Sequence, residues 1–167
     1  AIVGIRLGSK GPIFFRQERS GHYGKPFRMW KFRTMRPDKL AEEGVIRQVT
    51  SDDDRITGLG RFLRRTSLDE LPQLVNVIKG EMSLVGPRPH ASGRTTEETE
   101  VHHLVSDYAH RHRVKPGLTG WAQINGYRGN TDLTERIKCD LFYIENWNFL
   151  LDFQIMLLTF FKRDNAY

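Results

Sequence analysis

GPIFFRQERSGHYGKPFRMWKFRTM, residues 11–35, places two runs rich in aromatic and β-prone residues on either side of a glycine-containing turn. Residues 13–16 and 27–35 read as strands, and the turn between them makes a hairpin the natural arrangement. Along the second strand Phe27 and Met29 alternate with Arg28, after which Trp30 and Phe32 stand opposite Lys31 and Arg33. That pattern predicts one apolar face and one cationic face.

Downstream, residues 67–79 read as a helix. Leu71, Leu74, Val75 and Ile78 have the spacing of one buried stripe, and Gly80 stands just past the end. Pro72 falls in or just after the first turn, where its missing N–H costs little. The segment EMSLVGPRP, residues 81–89, continues as an extended piece into a turn stiffened by Pro87 and Pro89. Residues 96–112 read as a polar amphipathic helix, residues 122–125 as a strand or extended piece, and residues 133–146 and 149–161 as two further helices. Residues 37–54 are polar and acidic, a loop with a short helical piece and no assigned role. The expected fold is α/β (α+β), a small hairpin or sheet packed on several helices, in one domain over residues 1–167.

With 167 residues, 38% hydrophobic and 28% charged, the chain can bury one core. Its 26 basic and 20 acidic residues leave a charge of +6, which favours an anionic partner: nucleic acid, a membrane surface or a phosphorylated ligand. The lone Cys139 excludes an internal disulfide framework and a cysteine-rich zinc site, and reads as a small buried hydrophobe. No signal peptide is visible, and no apolar run reaches the ~18 residues of a spanning helix. The chain opens on Ala1, Ile2, Val3, Ile5 and Leu7 without a methionine, so the expectation is a fragment that begins in the tail of a longer hydrophobic element.

The richest chemistry lies in RRTSLDELPQL, residues 64–74, where Asp69 and Glu70 follow Arg61, Arg64 and Arg65. Two explanations compete. Ser67-x-x-Glu70 has capping-box spacing, and acidic residues suit a first helical turn. A helix start also holds anions, and an ionised aspartate there can attack phosphorus. Repulsion between that carboxylate and a diphosphate calls for Mg²⁺ and for nearby cations such as Lys31, Arg33, Arg64 and Arg88. For any single cation, a solvated positive face is the plain explanation.

Three blocks, residues 11–35, TSLDELPQLVNVIKGEMSLVGPRP (66–89) and KPGLTGWAQINGYRG (115–129), together resemble the bacterial sugar transferase family, the monotopic polyprenyl phosphate phosphoglycosyl transferases. The resemblance implies that Asp69 takes a sugar phosphate from a uridine diphosphate (UDP) sugar, releasing uridine monophosphate (UMP). Polyprenyl phosphate, undecaprenyl phosphate in most bacteria, then removes the sugar phosphate. Glu70 would position the metal or handle protons, and Arg88 would grip phosphate oxygens with its guanidinium fork. Lys31, Arg33 and Arg64 are the next phosphate-binding candidates, followed by Lys115, Gln123 and Asn125 at nucleotide or sugar, for which turn formation is the competing role. The setting implied is the cytoplasmic face of the bacterial inner membrane, with membrane lipids as partners. The motifs GYRGNTD and DLFYIENW resemble members that use glucose or galactose in exopolysaccharide synthesis.

The family's hydrophobic segment ahead of residue 11 is absent here, except for what residues 1–7 supply. Phe149, Leu150, Phe153, Leu157, Phe160 and Phe161 could face lipid while Asp152 and Gln154 stay wet, and core packing explains the same stripe. His102, His103, His110 and His112 lack the i, i+4 spacing of a helical zinc site. No glycine pattern forms a P-loop or dinucleotide fingerprint. The rival from another class is a nucleic-acid-binding module stacking bases on Phe27, Trp30 and Phe32 between Arg28, Lys31 and Arg33. That reading leaves Asp69 and Glu70 unused, and the transferase reading expects no nucleic-acid partner. A third reading is a non-catalytic scaffold that recruits enzymes to a membrane.

Overall fold

The fold was obtained as a computed structural model, which describes residues 2–36, 53–89, 108–127 and 131–161. The expected hairpin forms: β1 (Phe14–Ser20) pairs antiparallel with β2 (Pro26–Phe32), Phe14 opposite Phe32 and Ser20 opposite Pro26. Its faces are not divided as predicted. Strict alternation puts Phe27, Met29 and Lys31 on one side and Arg28, Trp30 and Phe32 on the other, so each face mixes apolar and cationic groups. Phe27 and Met29 are buried with Met82, and Val77 packs against them.

Ahead of the hairpin lies α1 (Ile2–Gly8), and behind it α2 (Gly58–Arg65). Thr57 caps α2, its Oγ1 accepting from the Gly60 N–H at 2.9 Å, while the Thr57 N–H donates to the Thr34 carbonyl. A 3₁₀ segment, Leu68–Gln73, then runs into the short helix α3 (Leu74–Ile78). Pro72 has no N–H to complete an α-helical bond to Leu68, which accounts for the tighter 3₁₀ winding in place of a continuous α-helix.

The stripe expected to be buried on this helix faces outward. Leu71, Leu74, Val75 and Ile78 are exposed, Ile78 to 86%, while Gln73 and Asn76 are buried. The cause is the free edge of β2, whose backbone polar groups need partners once they leave water. Asn76 supplies them: its Oδ1 accepts from the Trp30 N–H at 3.1 Å and its Nδ2 donates to the Arg28 carbonyl at 2.9 Å.

A second small sheet pairs β3 (Ser83–Val85) parallel with β4 (Gly117–Thr119). The two backbones meet closely at their ends, where a Cβ added to Gly117 would lie 2.1 Å from the Gly86 nitrogen. Gly117→Val is therefore expected to cost roughly 3 kcal/mol through overpacking, read as a lower urea midpoint with an unchanged slope.

Residues 122–125, expected to be extended, belong instead to α4 (Trp121–Ile124) and its C-cap Asn125. The two C-terminal helices form as α5 (Leu133–Glu145) and α6 (Phe149–Phe161), and Asp132 caps the first. Val85, Ile124, Tyr143 and Ile155 make the core between them. Residues 37–52 and 90–107, including most of the helix predicted over 96–112, lie outside the described residues. Residues 108–112 of that prediction fall in a 3₁₀ turn, Tyr108–Arg113. Among the described residues the architecture is mixed α/β, two small sheets among helices with no barrel.

Candidate active site

The turn between α2 and the 3₁₀ segment sets up the carboxylate pair. Ser67 adopts φ 56° and ψ 16°, a left-handed conformation that costs a serine about 1 kcal/mol. It caps nothing with its hydroxyl, and the Glu70 side chain does not return to it, so the capping box is not formed. The carboxylates also sit on a six-residue 3₁₀ segment and not on a regular α-helix start. Side-chain cations, more than aligned backbone N–H groups, define the electrostatics.

Glu70 points to the hairpin and to the Arg88 turn. Lys31 Nζ donates to its Oε1 at 2.8 Å, and Arg88 Nη2 donates to the same oxygen at 2.7 Å. Burial alone would raise the Glu70 pKa, but the charges and hydrogen bonds of Arg88 and Lys31 outweigh it and hold the carboxyl far below the usual range. Asp69 differs. It is buried, and among the described residues its carboxylate has no hydrogen bond or ion pair. Burial raises its pKa, and Glu70 adds to that, against the opposing charges of Lys31, Arg64 and Arg88. Two adjacent carboxylates thus take separate parts: one neutralised by direct pairing, the other unpartnered in a cationic field.

Arg64 enters from α2, its Nε donating to Thr34 Oγ1 at 2.9 Å. Lys31, Arg64 and Arg88 are therefore brought together around Asp69 and Glu70. The structure places the other candidates elsewhere. Arg33 is buried and its guanidinium donates to the carbonyls of Ile5, Ser9 and Lys10, closing the C-terminal end of α1. Lys115 is exposed near Gly80, beyond the end of α3. Gln123 is buried, with Nε2 3.4 Å from the Leu118 carbonyl, and Asn125 Nδ2 caps α4 through the Trp121 carbonyl.

The six residues of the nucleic-acid reading do not form one platform. Phe27 and Arg33 are buried, Lys31 is committed to Glu70, and the Arg16 guanidinium covers Trp30 at 3.9 Å from the ring centre. His102 and His103 lie outside the described residues, and no metal-ligand cluster of three or more His, Cys, Asp or Glu occurs among the described ones. Burial pushes the Cys139 thiol up, away from thiolate reactivity.

Sequence patterning missed Thr34, Asn76, Arg111 and Asp140. Each is a polar residue buried to satisfy another element, and such a residue carries no periodic signal.

The pairing of Glu70, next to Asp69, with Lys31 and Arg88 joins the first two sequence blocks in one site, and the profile of the family described as bacterial sugar transferase matches residues 1–163. The chain belongs to the bacterial sugar transferase family. The chain is 49% identical over 164 residues to the UDP-glucose:undecaprenyl-phosphate glucose-1-phosphate transferase of Escherichia coli K12, covering 96% of this chain and 34% of that protein. It is 45% identical to the exopolysaccharide production protein PSS of Rhizobium leguminosarum bv. phaseoli, covering 93% of this chain and 79% of that one. To the galactosyl transferase CpsE of Streptococcus agalactiae it is 44% identical, covering 89% of this chain and 34% of the relative. The chain thus spans about a third of the length of several of the relatives it matches.

Proposed function

We propose that this chain is the catalytic part of a phosphoglycosyl transferase that moves a sugar 1-phosphate from a UDP-sugar to undecaprenyl or another polyprenyl phosphate. The observation that carries the reading is the buried, unpartnered Asp69 carboxylate beside a Glu70 already neutralised by Lys31 and Arg88. A desolvated carboxylate without a partner is a good nucleophile for phosphorus. An Asp69 oxygen bonds to the phosphorus that bears the sugar, and the bond from that phosphorus to the UMP oxygen breaks. An oxygen of polyprenyl phosphate then attacks the same phosphorus, and the aspartyl oxygen leaves as a free carboxylate. Lys31, Arg64 and Arg88 are placed to stabilise the charge on the transferring group.

Mg²⁺ fits the same donors. Asp69 presents a free carboxylate, and a cation of this kind is usually held by one or two carboxylates with the remaining positions left to phosphate and water. Asp69 would hold it, with Glu70 as second ligand through the oxygen that Arg88 approaches only to 3.5 Å. When bound, it would neutralise diphosphate charge.

The names of the relatives point to UDP-glucose or a galactosyl donor as the first substrates to try, in exopolysaccharide assembly. The test incubates the complete protein with each UDP-sugar and Mg²⁺ but no lipid. About one equivalent of released UMP and an adduct on the Asp69 peptide are expected. A direct displacement by the lipid acceptor would give neither.

The same reading includes a lipid surface on the cytoplasmic side of the inner membrane. No helix among the described residues is long and apolar enough to cross a membrane. The outward side of the helix that carries Asp69 instead exposes Leu68, Leu71, Leu74, Val75 and Ile78, and α6 exposes Phe149, Leu150, Phe153, Leu157, Phe160 and Phe161. Among the described residues the α6 core contacts are made by Ile155 and its neighbours Leu151, Met156 and Leu158, which supports a lipid-facing role for that stripe. Apolar surface beside the nucleophile supports an acceptor that arrives from lipid. Leu71→Glu with Ile78→Glu is expected to lower partitioning onto anionic vesicles at least tenfold while the urea midpoint stays within error. Unchanged cosedimentation would remove this face from the membrane contact.

A further inference from the structure

The Arg88 turn is held from behind by one helix. Its carbonyl accepts a hydrogen bond from Arg111 Nη2 at 2.9 Å, and the same nitrogen pairs with Asp140 Oδ2 on α5 at 2.5 Å. Both partners of that pair are 2% exposed. Three residues further along α5, on the same side of the helix, the Tyr143 hydroxyl donates to Asp152 and lies 3.4 Å from the Val85 carbonyl. Helix α5 therefore reaches Val85 directly and the Arg88 carbonyl through Arg111 of the 3₁₀ turn. A small open cleft lined by Pro87, Arg88, Arg111 and His112 lies between the Arg88 turn and residues 111–116.

A buried ion pair adds little net stability compared with an apolar replacement, but its geometry is directional. Here the direction runs from Asp140 through Arg111 to the Arg88 main chain, while the Arg88 side chain runs on to Glu70. We propose that Asp140 and Arg111 are positioning residues for the transfer reaction: the buried pair sets where the Arg88 backbone sits, and so how its guanidinium reaches Glu70 and the transferring phosphate. Neither residue touches substrate. The inference rests on the Asp69–Glu70–Arg88 reading above.

The test is a set of double-mutant cycles on the complete protein, with Asp140→Asn and Arg111→Lys each made in wild type and in Arg88→Ala. The readout is single-turnover release of UMP at saturating UDP-sugar, alongside thermal midpoints. As single changes, each variant is expected to slow release about tenfold to a hundredfold with KM for the UDP-sugar altered less, as a misplaced catalytic group does. In the Arg88→Ala background the same changes are expected to slow release less than about threefold further, although the thermal midpoint falls by a similar amount in both backgrounds. A merely structural pair would multiply its loss in both backgrounds, which overturns the proposal alone. So would wild-type rates in both single variants. Asp140→Asn is isosteric and keeps the comparison open if Arg111→Lys does not fold. A wild-type rate in Arg88→Ala itself would instead defeat the site reading, and this inference with it.

Discussion

Asp69→Asn is expected to abolish lipid-free UMP release and the peptide adduct, and to lower overall transfer at least about a thousandfold. The amide has nearly the same shape but no anionic oxygen to bond to phosphorus. Its structural cost is small and of favourable sign, because the carboxylate is buried without a partner and its pKa is raised by that burial. The protonated form is therefore favoured on folding. In stability terms Asp69 contributes most below the ordinary aspartate range, and that contribution is lost as pH rises through its folded pKa. Asp69→Asn is thus expected to be as stable as wild type or more so at pH 7, measured by urea unfolding. In wild type the acid limb of kcat/KM is expected above the ordinary aspartate value, because the attacking oxygen must be ionised. An Asp69→Asn enzyme that still builds lipid-linked sugar at the wild-type rate would remove the nucleophile, whatever became of Arg88.

Glu70→Gln is expected to do the reverse to stability while also slowing transfer. Lys31 and Arg88 both donate to one Glu70 oxygen, with side-chain exposures of 20% and 30%. A neutral amide leaves two partly buried cations without their anion, for which about 2 kcal/mol is a fair expectation after allowing for solvent. Because pairing holds the Glu70 pKa below the unfolded value of 4.5, this stability is complete above that pH and is lost as pH falls below it. The difference between wild type and Glu70→Gln should therefore shrink as urea titrations move from pH 7 towards pH 3. Transfer should fall about a hundredfold, because the two cations lose the group that aims them. A constant stability difference across that range would mean that Glu70 is not held by these cations.

The site can be read partly from sequence because its members come from short, distinctive runs. Asp69 and Glu70 stand together among basic residues, and Arg88 sits between two prolines in a turn. Arg33 shares strand parity with Lys31, yet it meets the end of α1 where Lys31 meets Glu70. Nothing in the alternation separates those two fates, since the element opposite each residue is set by packing. Asn125 carries the polar chemistry of a sugar site and turns it to the Trp121 carbonyl of its own helix, while Gln123 Nε2 faces the Leu118 carbonyl on β4.

The hairpin, the two C-terminal helices and the family were determined by local sequence: turn residues, periodicity and long ordered motifs are properties of neighbouring residues. Tertiary structure alone decided which side of the Asp69 helix faces protein. Periodicity marks an apolar stripe but not the phase that covers it, and the free edge of β2 claimed the polar side through Asn76. It alone also decided the ion pairs, Lys31 with Glu70, Arg88 with Glu70 and Arg111 with Asp140, whose partners stand 39, 18 and 29 residues apart in the chain. Charges so far apart in sequence meet only where packing brings their elements together and excludes the water that would otherwise screen them.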